Sequence, residues 1–245
     1  MNRVLAPLPG VLFAWLMSAA LAGPLSANSS VLTTDPHYTE LGFFDIHLCN
    51  WPERPEYFKV LFSTEHFEDV VSMDVYMPDG TALVSLDKDR FIPLRREGQP
   101  EKRVFMLDID VPPSASVGWY RIRVRTQSGS TAEGRDFVTL SRLERVSVPD
   151  PPRDAEDIAM PGVLSWAPVP GARYYQAYLR DAWTDERIFS TRLLDEPRAE
   201  LPADLLEPGG YYYWTVHARD TNEHILLGDF SMGSMSERFY FSVAR

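Results

Sequence analysis

His47 and Cys49 stand two residues apart in F-F-D-I-H-L-C-N, so an extended strand places both side chains on one face. A thiolate beside an imidazole is a nucleophile–base pair, and it would be the clearest source of covalent chemistry in this chain. The competing reading is a small residue packed in a sheet, and that is the expectation adopted. Calcium would need clustered oxygens. Asp87-x-Asp89 and Asp108-x-Asp110 supply them only in part, since neither belongs to a D-x-D-x-D-G loop. The histidines, His37, His47, His66, His217 and His224, are scattered, and His217 is expected on a solvated strand face. There is no H-E-x-x-H, paired C-x-x-C, G-x-S-x-G or glycine-rich phosphate loop. The expectation is a non-enzymatic protein with no metal and no cofactor; a hydrolase site assembled from distant loops is the least favoured alternative.

The elements that would carry these residues are strands. Apolar side chains alternate at Phe44, Ile46 and Leu48, at Phe58, Val60 and Phe62, at Met73, Val75 and Met77, and at Phe105, Leu107, Ile109 and Val111. Pro78-Asp79-Gly80 and Ser128-Gly129 mark turns. In Gly118–Arg125, Tyr120, Ile122 and Val124 point inward and three arginines outward. About seven short strands without a helical period predict an antiparallel sandwich over 41–143. The segment 144–152 carries three prolines and is expected to be a stiff linker. A second sandwich is expected over 153–245.

The start of the chain reads as a targeting segment: Arg3, an apolar run opening at Val11, and small residues at Ala20 and Ala22 that suit cleavage after Ala22. Residues 1–22 are therefore expected to be a signal peptide and 23–40 a flexible tether. The single cysteine, Cys49, rules out an intrachain disulfide. The chain carries a net charge of −11, of which −7 falls in residues 144–245. Without a basic stripe it is a poor binder of phosphate backbones, so no nucleic-acid partner is expected. No membrane span is expected after signal cleavage. With few lysines (Lys59, Lys88, Lys102) and many arginines, the composition suits a bacterial, periplasmic or extracellular protein.

The order V-Y-M-P-D-G, L-D-I-D-V-P, G-W-Y-R-I-R-V, D-F-V-T-L resembles the bacterial immunoglobulin-like and macroglobulin-like sandwich domains. The second half resembles the fibronectin type III domain, on Val163–Ala172 (V-L-S-W-A-P-V-P-G-A), Tyr175, L-E-P-G at 206–209, and Tyr212, Trp214, Val216 and Ala218. That resemblance implies strands B (163–166), C (174–180), C′ (187–193), E (198–201), F (211–219) and G (237–243). It makes Trp166 the core tryptophan and Tyr212 the E–F corner tyrosine, whose hydroxyl returns to the backbone just upstream. There is no Arg-Gly-Asp tripeptide for integrin-type adhesion. The fold expectation is all-β: two tandem antiparallel β-sandwich, immunoglobulin-like units.

The resemblance also makes C, F and G neighbours, so parity puts Tyr174, Tyr178, Tyr213 and Tyr240 on one outer patch, suited to a partner because tyrosine couples rigid area with a polar tip. The F–G loop, 221–236, holds Ile225, Leu226, Leu227, Phe230, Met232 and Met235, which either fold back as an extra strand or contact a partner. The functional expectation is an exported binding or scaffold protein engaging a protein or envelope polymer through Tyr174, Tyr178, Tyr213, Tyr240, Ile225, Leu226 and Phe230. A carbohydrate-binding module, stacking Tyr174, Tyr178 and Trp183 on sugar rings, is the alternative.

Overall fold

A computed structural model describes residues 35–220 and 230–245. The expected signal peptide, residues 23–34 of the tether, and Ile225 and Leu226 lie outside the described residues. The first half contains β1 (Phe43–Asn50), β2 (Tyr57–Thr64), β3 (Val70–Tyr76), β4 (Ala82–Ser85), β5 (Phe91–Leu94), β6 (Lys102–Asp110), β7 (Gly118–Thr126) and β8 (Thr131–Val138). The second contains β9 (Ala155–Ile158), β10 (Val163–Ser165), β11 (Tyr174–Asp181), β12 (Arg187–Ser190), β13 (Arg198–Glu200), β14 (Tyr211–Arg219), β15 (Met232–Met235) and β16 (Phe239–Val243).

The first sandwich closes β1-β2-β6-β5 over β4-β3-β7-β8. Period-2 alternation sends Phe44, Ile46, Phe58, Val60, Phe62, Met73, Val75, Tyr120, Ile122 and Val124 into its core. Tyr120 is pinned at its far end, its hydroxyl donating to Ser116 O at 3.2 Å. Residues 65–69 form only a bend and turn, with no helix.

The second sandwich sets β10-β13 against β12-β11-β14-β16, with β9 alongside β16. Trp166 packs edge-on to Tyr175 and against Trp214 (centroids 5.5 and 6.0 Å). The Tyr212 hydroxyl accepts the Glu207 amide at 2.9 Å, closing the corner ahead of β14. Gly209, at φ +74°, makes the turn that allows it.

The connecting segments carry bonds of their own. Residues 35–40 are no tether: Pro36 O and His37 O accept the Arg135 and Phe44 amides, and His37 sits between Asp35 (2.8 Å) and Asp136 (3.0 Å). The segment 144–152, expected to be a stiff linker, is packed at its start. Leu143 and Val146 are buried in the second core, and Asp150 exchanges backbone hydrogen bonds with Ser165. Prolines keep this stretch extended, and Val146 along it, with Leu143 just ahead of it, turns extension into packing.

What joins the sandwiches is β15. It pairs antiparallel with β14 and parallel with β1 (Leu48↔Met232, Cys49↔Gly233, Asn50↔Ser234), so one ten-stranded sheet runs through both halves. The C-terminal part of the F–G loop therefore folds back as a strand.

Candidate functional site

Strand β14 organises the candidate site, because its outer face is shared by two different environments. Its inner residues Tyr212, Trp214, Val216 and Ala218 fill the core, which leaves Tyr211, Tyr213, Thr215, His217 and Arg219 outside.

The C-terminal half of that outer face is sealed. His217, expected in solvent, is 6% exposed. Phe230 lies against it (5.3 Å, edge-on) and against His47 of β1 (3.9 Å), and Trp51 closes the other side (5.1 Å). Arg219 donates through Nε to His217 Nδ1 at 3.0 Å and lies over the Phe230 ring at 5.1 Å. An imidazole accepting at Nδ1 from a guanidinium is neutral. Burial, then the positive Arg219, hold its pKa well below the usual histidine value. Gly233 is required here: a Cβ would meet Phe230 Cε2 at 2.6 Å and His217 Nε2 at 2.8 Å.

The seam is stitched by polar groups as well. Arg145 reaches Asn50 Oδ1 (3.0 Å), Trp51 O (2.6 Å) and Glu237 (3.2 Å), and Ser234 Oγ donates to Glu144 O at 2.9 Å. Phe230 was expected on a binding surface. It is instead a buried plug, because β15 draws it between the sandwiches.

The N-terminal half of the same face is an aromatic stack. Tyr213 and Tyr240 are cross-strand partners with ring centroids 5.2 Å apart. Tyr240 stacks on Tyr211 at 5.8 Å and 27°, and Tyr211 meets Trp183 at 5.5 Å. Arg238 lies over Tyr213 at 4.9 Å, and the Tyr213 hydroxyl donates to Asp185. Tyr213 is thereby buried, whereas Trp183 is 80% exposed at the open end. Trp183 is presented by a built loop: Asp181 Oδ1 accepts the amides of Trp183 and Thr184 and the Thr184 hydroxyl. Those hydrogen bonds hold the Asp181 carboxyl below its usual range. Beside Tyr240 opens a cleft of about 450 Å³, with Pro52 and Glu53 of the first sandwich on its far wall.

The four predicted tyrosines thus fall into two groups. Tyr213 and Tyr240 belong to the stack. Tyr174 and Tyr178 share the outer face of β11, where the Tyr178 hydroxyl donates to Gln176 Oε1 (2.8 Å), an oxygen that also takes Arg219 Nη2 (3.0 Å). Arg180, facing Tyr213, and Thr215, facing Tyr178, stand between the groups. Tyr211 and Trp183 complete the stack. Tyr211 is legible from parity, whereas Trp183 enters the sequence reading only as a sugar platform.

The residues with potential chemistry are otherwise engaged. Burial pushes the Cys49 thiol up to about 12, away from the thiolate form that a nucleophile needs. His47 Nδ1 lies 2.6 Å from Asp45 Oδ2. Asp108 pairs with Lys59 and Asp110 with Arg54, and Asp87 caps the Asp89 amide. Among the described residues no three His, Cys, Asp or Glu side chains are grouped to hold a metal.

No protein-family model matches the chain, and no curated protein sequence matches it. Among solved structures it is similar to the FN1–FN3 domains of chicken CNTN1 (11% identity, 86% of this chain and 66% of that one, TM-score 0.28). It is similar also to latent PorU from Porphyromonas gingivalis (9% identity, 84% and 20%, TM-score 0.28). A third is trypsin-activated alpha-2-macroglobulin from Escherichia coli (12% identity, 86% and 16%, TM-score 0.25). The chain spans less than two thirds of each of these three. Fibronectin type III and macroglobulin chains thus stand among its structural neighbours, while its own strand order supplies the description of its fold.

Proposed function

We propose that this is an exported, non-enzymatic binding protein that engages a protein partner through the open end of the aromatic stack on its second sandwich. Export rests on Arg3, the apolar run from Val11 and the small residues at Ala20 and Ala22. The observation that carries the binding reading is Trp183, a tryptophan held in solvent by the Asp181 loop and continued inward by Tyr211, Tyr240 and Tyr213. A large aromatic residue braced in the open costs the monomer hydrophobic exposure, and its use is at an interface.

The stack also bears on the kind of partner. Sugar binding needs aromatic faces turned outward in a row. Here Tyr211, Tyr240 and Tyr213 each have two ring or guanidinium neighbours, and only Trp183 keeps broad exposure. Strand side chains stand away from the sheet, so the half-buried Tyr211 and Tyr240 offer edges and polar tips, while Tyr213 is closed off beneath Asp185 and Arg238. Rigid rings with polar tips fit a protein surface.

Affinity capture from envelope extract with wild-type and Trp183→Ala/Tyr211→Ala protein tests this. A specific partner held by the wild type and lost by the double variant is expected. Equal capture by both proteins refutes the surface, and glycan-array binding abolished by W183A would replace a protein partner with a carbohydrate.

A further inference from the structure

The outer face of the first sandwich carries a different arrangement. Along β7 and β8, the cross-strand pairs are Trp119↔Phe137, Arg121↔Arg135, Arg123↔Glu133 and Arg125↔Thr131. Directly opposed like charges destabilise a strand pair. Arg123 resolves its own case with Glu133 (2.9 Å), and Arg125 reaches Asp74 (3.7 Å). Arg121 and Arg135 do neither: among the described residues no carboxylate comes within ion-pair distance of either one. The carboxylates nearest in the adjoining cleft of about 450 Å³ are already engaged, Glu133 by Arg123 and Asp35 by His37.

Beside the two arginines the strands leave an aromatic pair in the open. Trp119 and Phe137 meet edge-on at 5.3 Å and remain 42% and 39% exposed. Arg135 rests over Trp119 at 4.9 Å, which orients its guanidinium along the face. The result is two unneutralised forks next to an apolar step, on a chain whose net charge is −11.

We propose that Arg121 and Arg135 form an anion-binding site for a carboxylate side chain of an acidic partner peptide, with Trp119 and Phe137 receiving a neighbouring apolar residue. Guanidinium forks match carboxylates bidentately, and a carboxylate bound at either fork offsets the repulsion that the bare pair suffers. The chain's net charge of −11 favours a short segment over a long polyanion, because it repels extended negative chains.

The probe is a pentapeptide of glutamates around a central phenylalanine, with its lysine counterpart as control, titrated against the intact protein. The acidic peptide should bind, weaken as salt is raised, and lose at least about tenfold in affinity in Arg121→Glu. The same variant sets a carboxylate opposite Arg135 across the strands and should raise the melting temperature, a sign that a purely structural arginine would not give. Arg135→Gln, which removes the opposition without adding an acid, serves if the first variant fails to fold. Equal binding of both peptides, or undiminished acidic-peptide binding by the variants, overturns the proposal. Tighter binding of a sulfated tetrasaccharide than of the peptide overturns the partner class. Because these residues lie on the first sandwich, failure here leaves the Trp183 surface untouched.

Discussion

The two halves of β14 share one strand, one face and one alternation, yet they end in opposite conditions. Tyr211 and Tyr213 belong to an aromatic stack whose far end, Trp183, is open to solvent, while His217 and Arg219 lie beneath Phe230 and β15. Parity decides which side of the sheet a residue takes. What covers that side is decided by chain that arrives from elsewhere. In the C-terminal half the cover is a strand that makes the sheet continuous with β1; in the N-terminal half it is only an arginine and neighbouring rings.

The sharpest way to break this contrast is to remove the plug. Phe230→Ala deletes a buried ring that touches His47, His217 and Arg219 from both sandwiches, and a large-to-small change of this kind costs about 3 kcal/mol. The cost should fall on the seam, so calorimetry is expected to show the melting transition lowered and broadened toward two. An unchanged thermogram would mean that Phe230 does not couple the sandwiches.

A smaller effect comes from His217. Its folded pKa lies well below 6.5, so between the two values the unfolded chain binds a proton that the folded seam refuses. Its neutral burial is therefore fully tolerated above about pH 6.5 and works against folding as pH falls below it. Protonation would also set an Nδ1–H against the Arg219 Nε–H. Wild type should lose melting temperature between about pH 7 and pH 5 more steeply than His217→Gln. Parallel pH profiles for the two proteins would remove His217 from the acid response.

Much of the fold was legible in the sequence because its signals are local. Tyr120, Ile122 and Val124 alternate within one short strand, and Tyr212 with its Pro-Gly turn announces a corner that the Glu207 amide closes. The seam was not legible. Met232–Met235 reads M-G-S-M, with no alternation, and its strand character comes from pairing with Leu48, Cys49 and Asn50, near the other end of the chain. That one pairing explains why His217 and Phe230 are buried, and why His47 and Cys49 are covered on a face that parity turns outward. The clue present in the sequence was compositional: Asp45, His47 and Cys49 together are a poor match for a solvated strand face. At the candidate site the tyrosines were found by parity, but their division into two groups depends on Arg180 and Thr215 standing between them.

The smallest stability effect should come from the residue with the largest proposed role. Trp183 is 80% exposed, and its loop is held by Asp181 through Thr184 and two backbone amides, none of which needs the indole. Trp183→Ala should therefore change stability by no more than about 0.5 kcal/mol, the ordinary range for a surface substitution. Asp181→Ala should differ: it frees the loop and leaves the indole in place, so partner binding should weaken through lost preorganisation and not through lost contact. If W183A melts several degrees lower than wild type, the ring is part of the fold's own packing and the open end of the stack is a structural cap. If it melts with wild type while binding is lost, the two halves of β14 divide as their surroundings do, one half holding the sandwiches together and the other meeting the partner.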